Sequence, residues 1–232
     1  MPRYELHCHT SECDLAAHAS AAELVRIYHA AGYSGMVITD HYFTGFFSWF
    51  QQELIGADHR TAMARRLKGY YAAREEGEKL GFTVLPGAEV RFQKSPYGYN
   101  DFLIYGCEEE FFLSAPRLDK LRSLDELFAL LPPEACVVLA HPFRVNMTVM
   151  DPTPLFGIEA HNGLTEPFRN AMAEDYAKRF GKSLTAGSDC HHRDHAAKAG
   201  IDTPHTILTP TDLSRVLRSG DYTLYRGQPD NC

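Results

Sequence analysis

Apolar and polar positions along the chain follow two different periods. Short runs of β-branched, aliphatic and aromatic residues are typical of strands, whereas longer segments with apolar residues three or four apart are typical of helices. The runs that predict strands lie at 4–8, 34–41, 82–92, 100–106, 136–142, 157–163, 183–192 and 222–226. The segments that predict helices lie at 20–32, 58–80, 123–131, 166–181 and 209–220.

Strand and helix predictions alternate along the whole chain. Such alternation indicates an α/β protein built on a parallel sheet. Six or seven strand–helix units favour closure into a barrel over an open sheet. The sequence contains no internal repeat, low-complexity segment or obvious linker, so we expect a single domain over 1–232.

Histidines and carboxylates collect where the predicted strands end. The opening stretch "YELHCHTSECD" places His7 and His9 two apart on a strand, so both side chains project from the same face. The other strand ends supply Asp40, His41, Glu89, Asp101, His141, Glu159, His161, Asn162, Asp189 and His191. In a β/α barrel the C-terminal strand ends converge on one rim. Because buried imidazoles and carboxylates are costly without partners, this convergence predicts a multinuclear metal site.

The segments "ELHCHTSECD", "ITDH", "PGAEV", "AHP" and "GSDCH" occur in this order along the chain. Together they resemble the motifs of the PHP (polymerase and histidinol phosphatase) family of metal-dependent phosphoesterases. The resemblance extends from His7 to His191 and implies a single PHP domain. It further implies a distorted (β/α)7 barrel, with two to three divalent ions (zinc, manganese or iron) at the C-terminal strand ends.

The same resemblance implies a set of metal ligands. The implied ligands of the first ion are His7, His9, Glu89 and Asp189, those of the second are Glu89 as a bridge with His141 and Asp101, and those of the third are Asp14, His41 and His191. The residues implied to take part directly in catalysis are His7, His9, Glu89, Asp189 and His191. Asp101 departs from the family, which commonly has histidine there. A carboxylate is a harder ligand, so this position should shift the metal preference toward Mn²⁺ or Fe²⁺.

The charge of this ligand set favours phosphate chemistry only when metal is bound. Four carboxylates would repel a phosphate dianion, whereas two ions make the site neutral and three make it positive. Metal ions also lower the pKa of a bound water to about 7, so a bridging hydroxide is the expected nucleophile. The expected substrate is a small phosphomonoester, either histidinol-phosphate-like, a nucleotide or a sugar phosphate. The alternatives are an amidohydrolase-type enzyme acting on a C–N bond and a non-catalytic PHP metal-binding domain.

Candidate substrate contacts lie near the same strand ends. The guanidinium groups of Arg144 and Arg91 suit phosphate, although a salt bridge at the rim is the alternative for Arg144. His18 is a candidate for substrate contact or proton donation to the leaving group. His161 and Asn162 are candidates either for substrate contact or for orienting the ligands. The aromatic segment 43–50 is expected to be a packed loop, a lid or a dimer contact.

Net charge and cysteine content limit the binding partners and the cellular compartment that we expect. The net charge is −7 and the pI about 5.9, which argues against binding to nucleic-acid duplexes or anionic membranes. No signal peptide or apolar span of membrane length is evident. The six cysteines lack C-x-x-C spacing and read as reduced thiols. We therefore expect a cytoplasmic protein, monomeric or a small homo-oligomer.

Overall fold

The computed structural model describes residues 1–94, 96 and 98–227. Within this range the strands β1 to β11 are Arg3–Glu5, Gly35–Ile38, His41–Tyr42, Thr83–Pro86, Ala88–Val90, Phe102–Tyr105, Cys136–Leu139, Gly157–Asn162, Ser183–Gly187, Gly200–Asp202 and Thr223–Tyr225. The α-helices α1 to α9 are Ala21–Ala30, Thr44–Trp49, Gln51–Leu54, His59–Arg66, Lys68–Leu80, Glu109–Ser114, Leu124–Phe128, Pro167–Arg179 and Pro210–Ser219. Short 3₁₀ turns lie at Leu118–Lys120 and Arg193–His195.

The described strands form two hydrogen-bonded sheets. The first has the order β11-β10-β1-β2-β4 and the second the order β3-β5-β6-β7-β8-β9. Strand β6 runs antiparallel to both of its neighbours, and β10 runs antiparallel to β1 and β11. The other pairs are parallel. The protein is therefore an α/β fold with mixed sheets.

The predicted α/β class is confirmed, but a closed (β/α)7 barrel is not. The ladders divide the described strands between two sheets, and the chain passes between these sheets after β2, β3, β4 and β9. An isolated parallel bridge between Cys8 and Cys190 joins the chain beyond β1 to the chain beyond β9. Strand–helix alternation predicts parallel neighbours and carries no signal for an antiparallel strand such as β6. The sheet topology therefore differs from the prediction.

Local sequence explains where several helices begin and end. The Ser20 hydroxyl accepts from the Glu23 N–H and caps the start of α1. Helix α9 begins with a complete capping box between Thr209 and Asp212. It ends at Gly220, whose φ of 71° is the left-handed conformation that glycine adopts most easily.

The single helix predicted over 58–80 is divided in the structure. Asp58 caps α4 by accepting from the Thr61 N–H, and Leu67 separates α4 from α5. Near the start of α5, Gly69 packs closely against the chain that follows β1. A Cβ at Gly69 would lie 1.9 Å from the Thr10 hydroxyl oxygen and 2.6 Å from a carboxylate oxygen of Asp40. This close approach requires glycine.

The aromatic segment 43–50 contains helix α2 and leads into α3, which the sequence pattern did not predict. Phe46 is buried and packs with Phe50 against Cys13. Phe43 contacts the edge of Trp49, with ring centroids 5.0 Å apart. Packing against neighbouring chain, the first of the three alternatives for this segment, thus accounts for Phe46 and Phe50.

The core lies under the strand ends that carry the polar residues. Strands β2, β6 and β7 are buried at every position, as their continuous apolar runs indicate. In the described part of the chain, no helix has the length and apolar character needed to cross a membrane.

Candidate metal centre

The structure brings all nine predicted ligands into four overlapping groups. Within each group, one nitrogen or oxygen atom per residue lies within 4.8 Å of the others. The groups are His7 with His9 and Glu89, then His7 with His141 and Asp189, then Glu89 with Asp101 and His141, and finally His9 with Asp14, His41 and His191. Because they share members, the groups form one continuous cluster that could hold more than one ion.

Parallel pairing beyond β1 and β9 aligns four of these residues. The His9 N–H donates to the Cys190 carbonyl at 2.9 Å, and the Cys190 N–H donates to the His7 carbonyl at 3.3 Å. The two paired segments, His7-Cys8-His9 and Asp189-Cys190-His191, therefore lie side by side. Cys8 and Cys190 belong to the hydrophobic core cluster, in agreement with the prediction that they face away from the ligands.

Two of the predicted ligands have unusual backbone conformations. His141 has a φ of 29° and Asp189 a φ of 54°, in the left-handed region that residues other than glycine seldom adopt. Such strain persists where the surrounding structure enforces it, and it is concentrated at functional sites. His141 and Asp189 come two residues after the ends of β7 and β9, so the strain lies where the strands deliver their side chains.

Several buried polar atoms of the cluster lack hydrogen bonds to any described residue. They are His7 Nε2, both ring nitrogens of His9, His141 Nδ1, Glu89 Oε2 and Asp189 Oδ1. The His9 Nε2 atom lies 3.3 Å from Asp189 Oδ1 and 3.5 Å from Glu89 Oε2. All three atoms are therefore close enough to face one cation. Burying such atoms unpaired costs about 1–3 kcal/mol each, a cost that metal coordination removes. The donor set of imidazole and carboxylate suits Zn²⁺, Mn²⁺ and Fe²⁺.

Glu159, on β8, orients two of the histidine-bearing segments. Its Oε1 accepts from His7 Nδ1 at 2.8 Å, and its Oε2 accepts from the His141 backbone N–H at 3.0 Å. A proton on His7 Nδ1 leaves Nε2 unprotonated, which is the state that binds a metal. Glu159 lies at a predicted strand end, and that position alone indicates no role. Its position two residues before His161 on the same strand was the available signal.

Buried carboxylates also support the segments around the cluster. Glu5 accepts from the backbone N–H groups of Leu6, His7 and Ser188. Asp40 accepts from the backbone and hydroxyl of Thr10. Burial raises the pKa of Glu5 and of Asp40, each to about 7. Asp40 thus orients the loop that follows His9, through its hydrogen bonds to Thr10.

Neighbouring charges shift the pKa values of several residues in the cluster, at some positions against the effect of burial. Burial lowers the pKa of His41, yet the facing carboxylates of Glu89 and Asp14 raise it to about 10. Burial raises the pKa of Asp14, but the hydrogen bond from His41 brings it down to about 2. Burial together with the charges of His191 and His41 lowers the pKa of His9 to about 3. In the metal-free protein the His9 ring is therefore neutral at physiological pH, whereas His41 is protonated and must release its proton to bind a metal.

Two arginines contact the carboxylates of the cluster. Arg91 donates from Nε and Nη2 to the two oxygens of Asp101, each at 2.5 Å. Arg144 Nη1 lies 2.8 Å from Asp189 Oδ2, and its side chain is about one-third exposed. Asp101 is itself nearly fully buried. Arg91 and Arg144, the two predicted phosphate contacts, thus lie at the cluster and bind its carboxylates. The sequence did not indicate that Arg91 pairs with Asp101.

The remaining candidate contacts lie further from the cluster or beneath it. His18 is exposed, and its ring stacks on that of His192 with centroids 4.5 Å apart. The His18 backbone N–H donates to the His191 carbonyl. His161 is partly buried beside Asn170 on α8 and joins none of the four ligand groups. Asn162 is fully buried and donates to Glu159 and to Asp189. These two hydrogen bonds support the alternative in which Asn162 orients the ligands.

The described cysteines are free thiols outside the ligand groups. They are Cys8, Cys13, Cys107, Cys136 and Cys190, all buried, while Cys232 lies outside the described residues. The candidate ligand groups consist of nitrogen and oxygen donors only among the described residues.

Comparison with protein families identifies the C-terminal part of the chain. A family model described as PHP-associated matches residues 167–222, which include α8 and α9. No curated protein matches the sequence.

Solved structures resemble nearly the whole chain. A two-domain protein from Bacteroides vulgatus, described as containing a predicted PHP-like metal-dependent phosphoesterase, aligns with a TM-score of 0.67 and 17% identity over 97% of this chain. This chain spans 65% of that protein, slightly under two thirds of its length. A protein from Bifidobacterium adolescentis, named as a candidate metal-dependent phosphoesterase, aligns with a TM-score of 0.57 and 15% identity, covering 98% of this chain and 97% of its own.

A third neighbour carries a different functional name. It is an amidohydrolase from Chromobacterium violaceum with bound sulfate and no metal, at a TM-score of 0.53 and 16% identity. The alignment covers 96% of this chain and 97% of that protein. At these identities, the three likenesses show a common fold.

Proposed function

We propose, on the support that the family match and the structural neighbours give to a PHP family protein, that this chain is a metal-dependent phosphoesterase acting on a small phosphomonoester. The observation that carries the proposal is the convergence of nine imidazole and carboxylate side chains in one buried cluster. The convergence matters because these side chains come from segments far apart in the sequence, and packing alone gives no reason for them to meet.

The ligand groups support a proposal of three ion positions. His7, His9, Glu89 and Asp189, whose facing atoms lie 3.3 to 3.6 Å apart, would hold one ion, and Glu89 would also serve a second with His141 and Asp101. Asp14, His41 and His191, together with His9, would hold a third. When bound, such ions lower the pKa of a coordinated water to about 7 and neutralise charge on the phosphoryl oxygens.

The protein's own residues would position the reactants. Glu159 fixes the His7 tautomer through Nδ1 and holds the His141 backbone through its other oxygen. Arg144, partly exposed at the edge of the cluster, presents a guanidinium that matches the geometry of phosphate oxygens. In the substrate complex, Arg144 would divide its hydrogen bonds between Asp189 and the phosphate.

Charge balance supports an anionic substrate. Asp14, Glu89, Asp101 and Asp189 carry four negative charges when ionised, and Arg91 compensates Asp101 directly. Two or three divalent ions would make the cluster neutral or positive, so that a phosphate dianion is attracted.

Hydrolysis of a C–N bond is the second candidate, because the Chromobacterium neighbour is named an amidohydrolase. The bridging position here is occupied by Glu89, a carboxylate that belongs to two of the ligand groups. This composition favours the phosphoesterase. An amidase reaction would use the same metals on a neutral carbonyl and would not require Arg144.

The decisive assay compares substrates under identical metal loading. Purified protein supplied with Mn²⁺ or Zn²⁺ should release phosphate from phosphomonoesters faster than it cleaves phosphodiesters or amides. Faster cleavage of amides would support the amidohydrolase, and metal binding without turnover of any substrate would support a non-catalytic domain. Asp189→Asn, which removes a charged ligand, serves as the inactive control.

A further inference from the structure

A cavity of about 440 Å³ lies beside the metal centre, on the far side of Arg91. Its walls include the rings of Phe43, Phe92 and Tyr99 as well as the Arg91 side chain. This volume is within the range of small-molecule sites, which are mostly apolar with a few polar groups. The cavity is therefore large enough for the organic part of a small ester.

Arg91 connects this cavity to the candidate ligands. Toward the cluster, its guanidinium donates two hydrogen bonds to Asp101, each at 2.5 Å. On the other side, the guanidinium carbon lies 3.9 Å from the centre of the Tyr99 ring. Phe43 makes a second connection, because its ring centroid lies 5.6 Å from that of His41. A phosphate held at the cluster would thus direct its ester group toward Phe43 and Tyr99.

Tyr99 is held in place although it is exposed. Solvent reaches 47% of the surface of Tyr99, a large fraction for an aromatic residue. Its hydroxyl accepts a hydrogen bond from Arg91, and its backbone exchanges hydrogen bonds with Thr148. An exposed ring that is fixed on two sides loses little conformational entropy when it binds a ligand. Tyr99 therefore has the properties of a binding surface.

Phe43 is constrained in a similar way on the opposite wall. Its ring packs edge-on against Trp49 at 5.0 Å, and the Arg91 guanidinium lies 5.9 Å from its centre. Phe92 forms a buried wall by stacking on Phe102 at 5.4 Å. Three aromatic residues held by their neighbours thus line the cavity.

We infer that this cavity, defined by Phe43, Arg91, Phe92 and Tyr99 and called here the ring pocket, selects phosphomonoesters that carry a flat unsaturated ring close to the phosphate. The inference rests on the proposed function, since it assigns the substrate class of the same site. Stacking of aromatic rings adds to the gain from burying apolar area, whereas a saturated ring of equal size gains from burial alone. The ring pocket thus separates aromatic esters from sugar phosphates and other saturated esters.

The test compares phenethyl phosphate with cyclohexylethyl phosphate on metal-loaded protein. The two esters match in charge, spacer and leaving-group chemistry but differ in the flatness of the ring. The wild-type protein should prefer the phenyl ester by about 3- to 10-fold in kcat/KM, the range that aromatic stacking supports. Tyr99→Ala and Phe43→Ala should each lower this ratio toward one, while Tyr99→Phe should preserve it.

Matched controls keep the inference falsifiable. Phe168→Ala removes an aromatic residue that is 59% exposed on α8, outside the ring pocket, and should leave the ratio unchanged. Calorimetry with phenethyl phosphonate, which is not hydrolysed, should show weaker binding to Tyr99→Ala than to wild type. A wild-type ratio of one, or a ratio that neither alanine variant changes, would overturn the ring pocket alone. Failure to hydrolyse these esters or ethyl phosphate with any metal would overturn the proposed function as well.

Discussion

Glu159 accepts a hydrogen bond from His7 Nδ1 at 2.8 Å, and both side chains are almost completely buried. The same carboxylate accepts from the His141 backbone and from Asn162. One glutamate thus positions candidate ligands on two sides of the cluster without belonging to any ligand group. Metal-binding histidines commonly depend on such a carboxylate, and its loss typically lowers metal affinity 10- to 100-fold.

Glu159→Gln should therefore weaken metal binding by about 10- to 100-fold without unfolding the protein. Glutamine keeps the size of the side chain but removes the charge that stabilises the Nδ1-protonated tautomer of His7. Competition with a chromophoric chelator measures the affinity. Glu75→Gln, an exposed substitution on α5, is the control and should bind metal as wild type does. Equal affinities for both variants would show that Glu159 has no part in the centre.

Asp101 is predicted to ligate metal even though Arg91 contacts both of its oxygens. Asp101→Ala should lose one ion per chain, because the Glu89–Asp101–His141 group then has only two donors. Asp101→His should retain that ion and raise activity with Zn²⁺ relative to Mn²⁺, since imidazole is the softer donor. Elemental analysis and activity ratios provide the measurements. If Asp101→Ala keeps its full metal content and alters only KM, the role of Asp101 is to hold Arg91.

Arg144 is predicted to bind the phosphate of the substrate. Arg144→Met keeps much of the side-chain length but removes the charge, and should lower kcat/KM about 10- to 100-fold, as expected for loss of charge-assisted hydrogen bonds worth about 1.5–3 kcal/mol. Steady-state kinetics at saturating metal will measure the effect. The control is Arg215→Met, an exposed position on α9. Should both variants retain wild-type kinetics, Arg144 would be only a salt-bridge partner of Asp189.

Asp40 gives the metal-free protein a defined pH dependence. Burial raises the pKa of this carboxyl from 3.8 to about 7, so the folded state binds a proton that the unfolded state releases at lower pH. Its contribution to stability is complete below about pH 4 and is lost as pH rises through about 7. Asp40→Asn keeps an acceptor for Thr10 but cannot ionise.

The loss of stability between pH 4 and 8 should consequently be smaller in Asp40→Asn than in wild type. The difference should not exceed about 4 kcal/mol, because one pKa unit corresponds to 1.36 kcal/mol. Urea unfolding of chelator-treated protein at several pH values provides the free energies of unfolding. Parallel pH curves for the two proteins would show that the Asp40 carboxyl titrates normally.

Much of the candidate centre could be found from the sequence because its residues follow strand periodicity. His7 and His9 share one face of an extended segment, and Asp189 and His191 repeat that spacing. Glu159 escaped attention because its role depends on a contact across 152 residues of chain. The contact between Arg91 and Asp101 was missed for a similar reason, since spacing does not reveal which carboxylate an arginine reaches.

The sequence correctly predicted the α/β class of the fold but not the topology of its sheets. The apolar runs at β2, β6 and β7 correctly indicated buried strands. A buried run has the same appearance in either direction, so β6 could not be identified as antiparallel. Helix α2 was missed because six residues, three of them aromatic, are too short a segment to show a helical apolar stripe.

Phosphate release by chelator-treated protein during titration with Mn²⁺ or Zn²⁺ tests the central claim most directly. With a phosphomonoester as substrate, we predict no release before metal is added and a rate that rises to saturation at two to three equivalents of metal per chain. A rate that is the same with and without metal would contradict this account, as would the absence of phosphate release at every metal concentration.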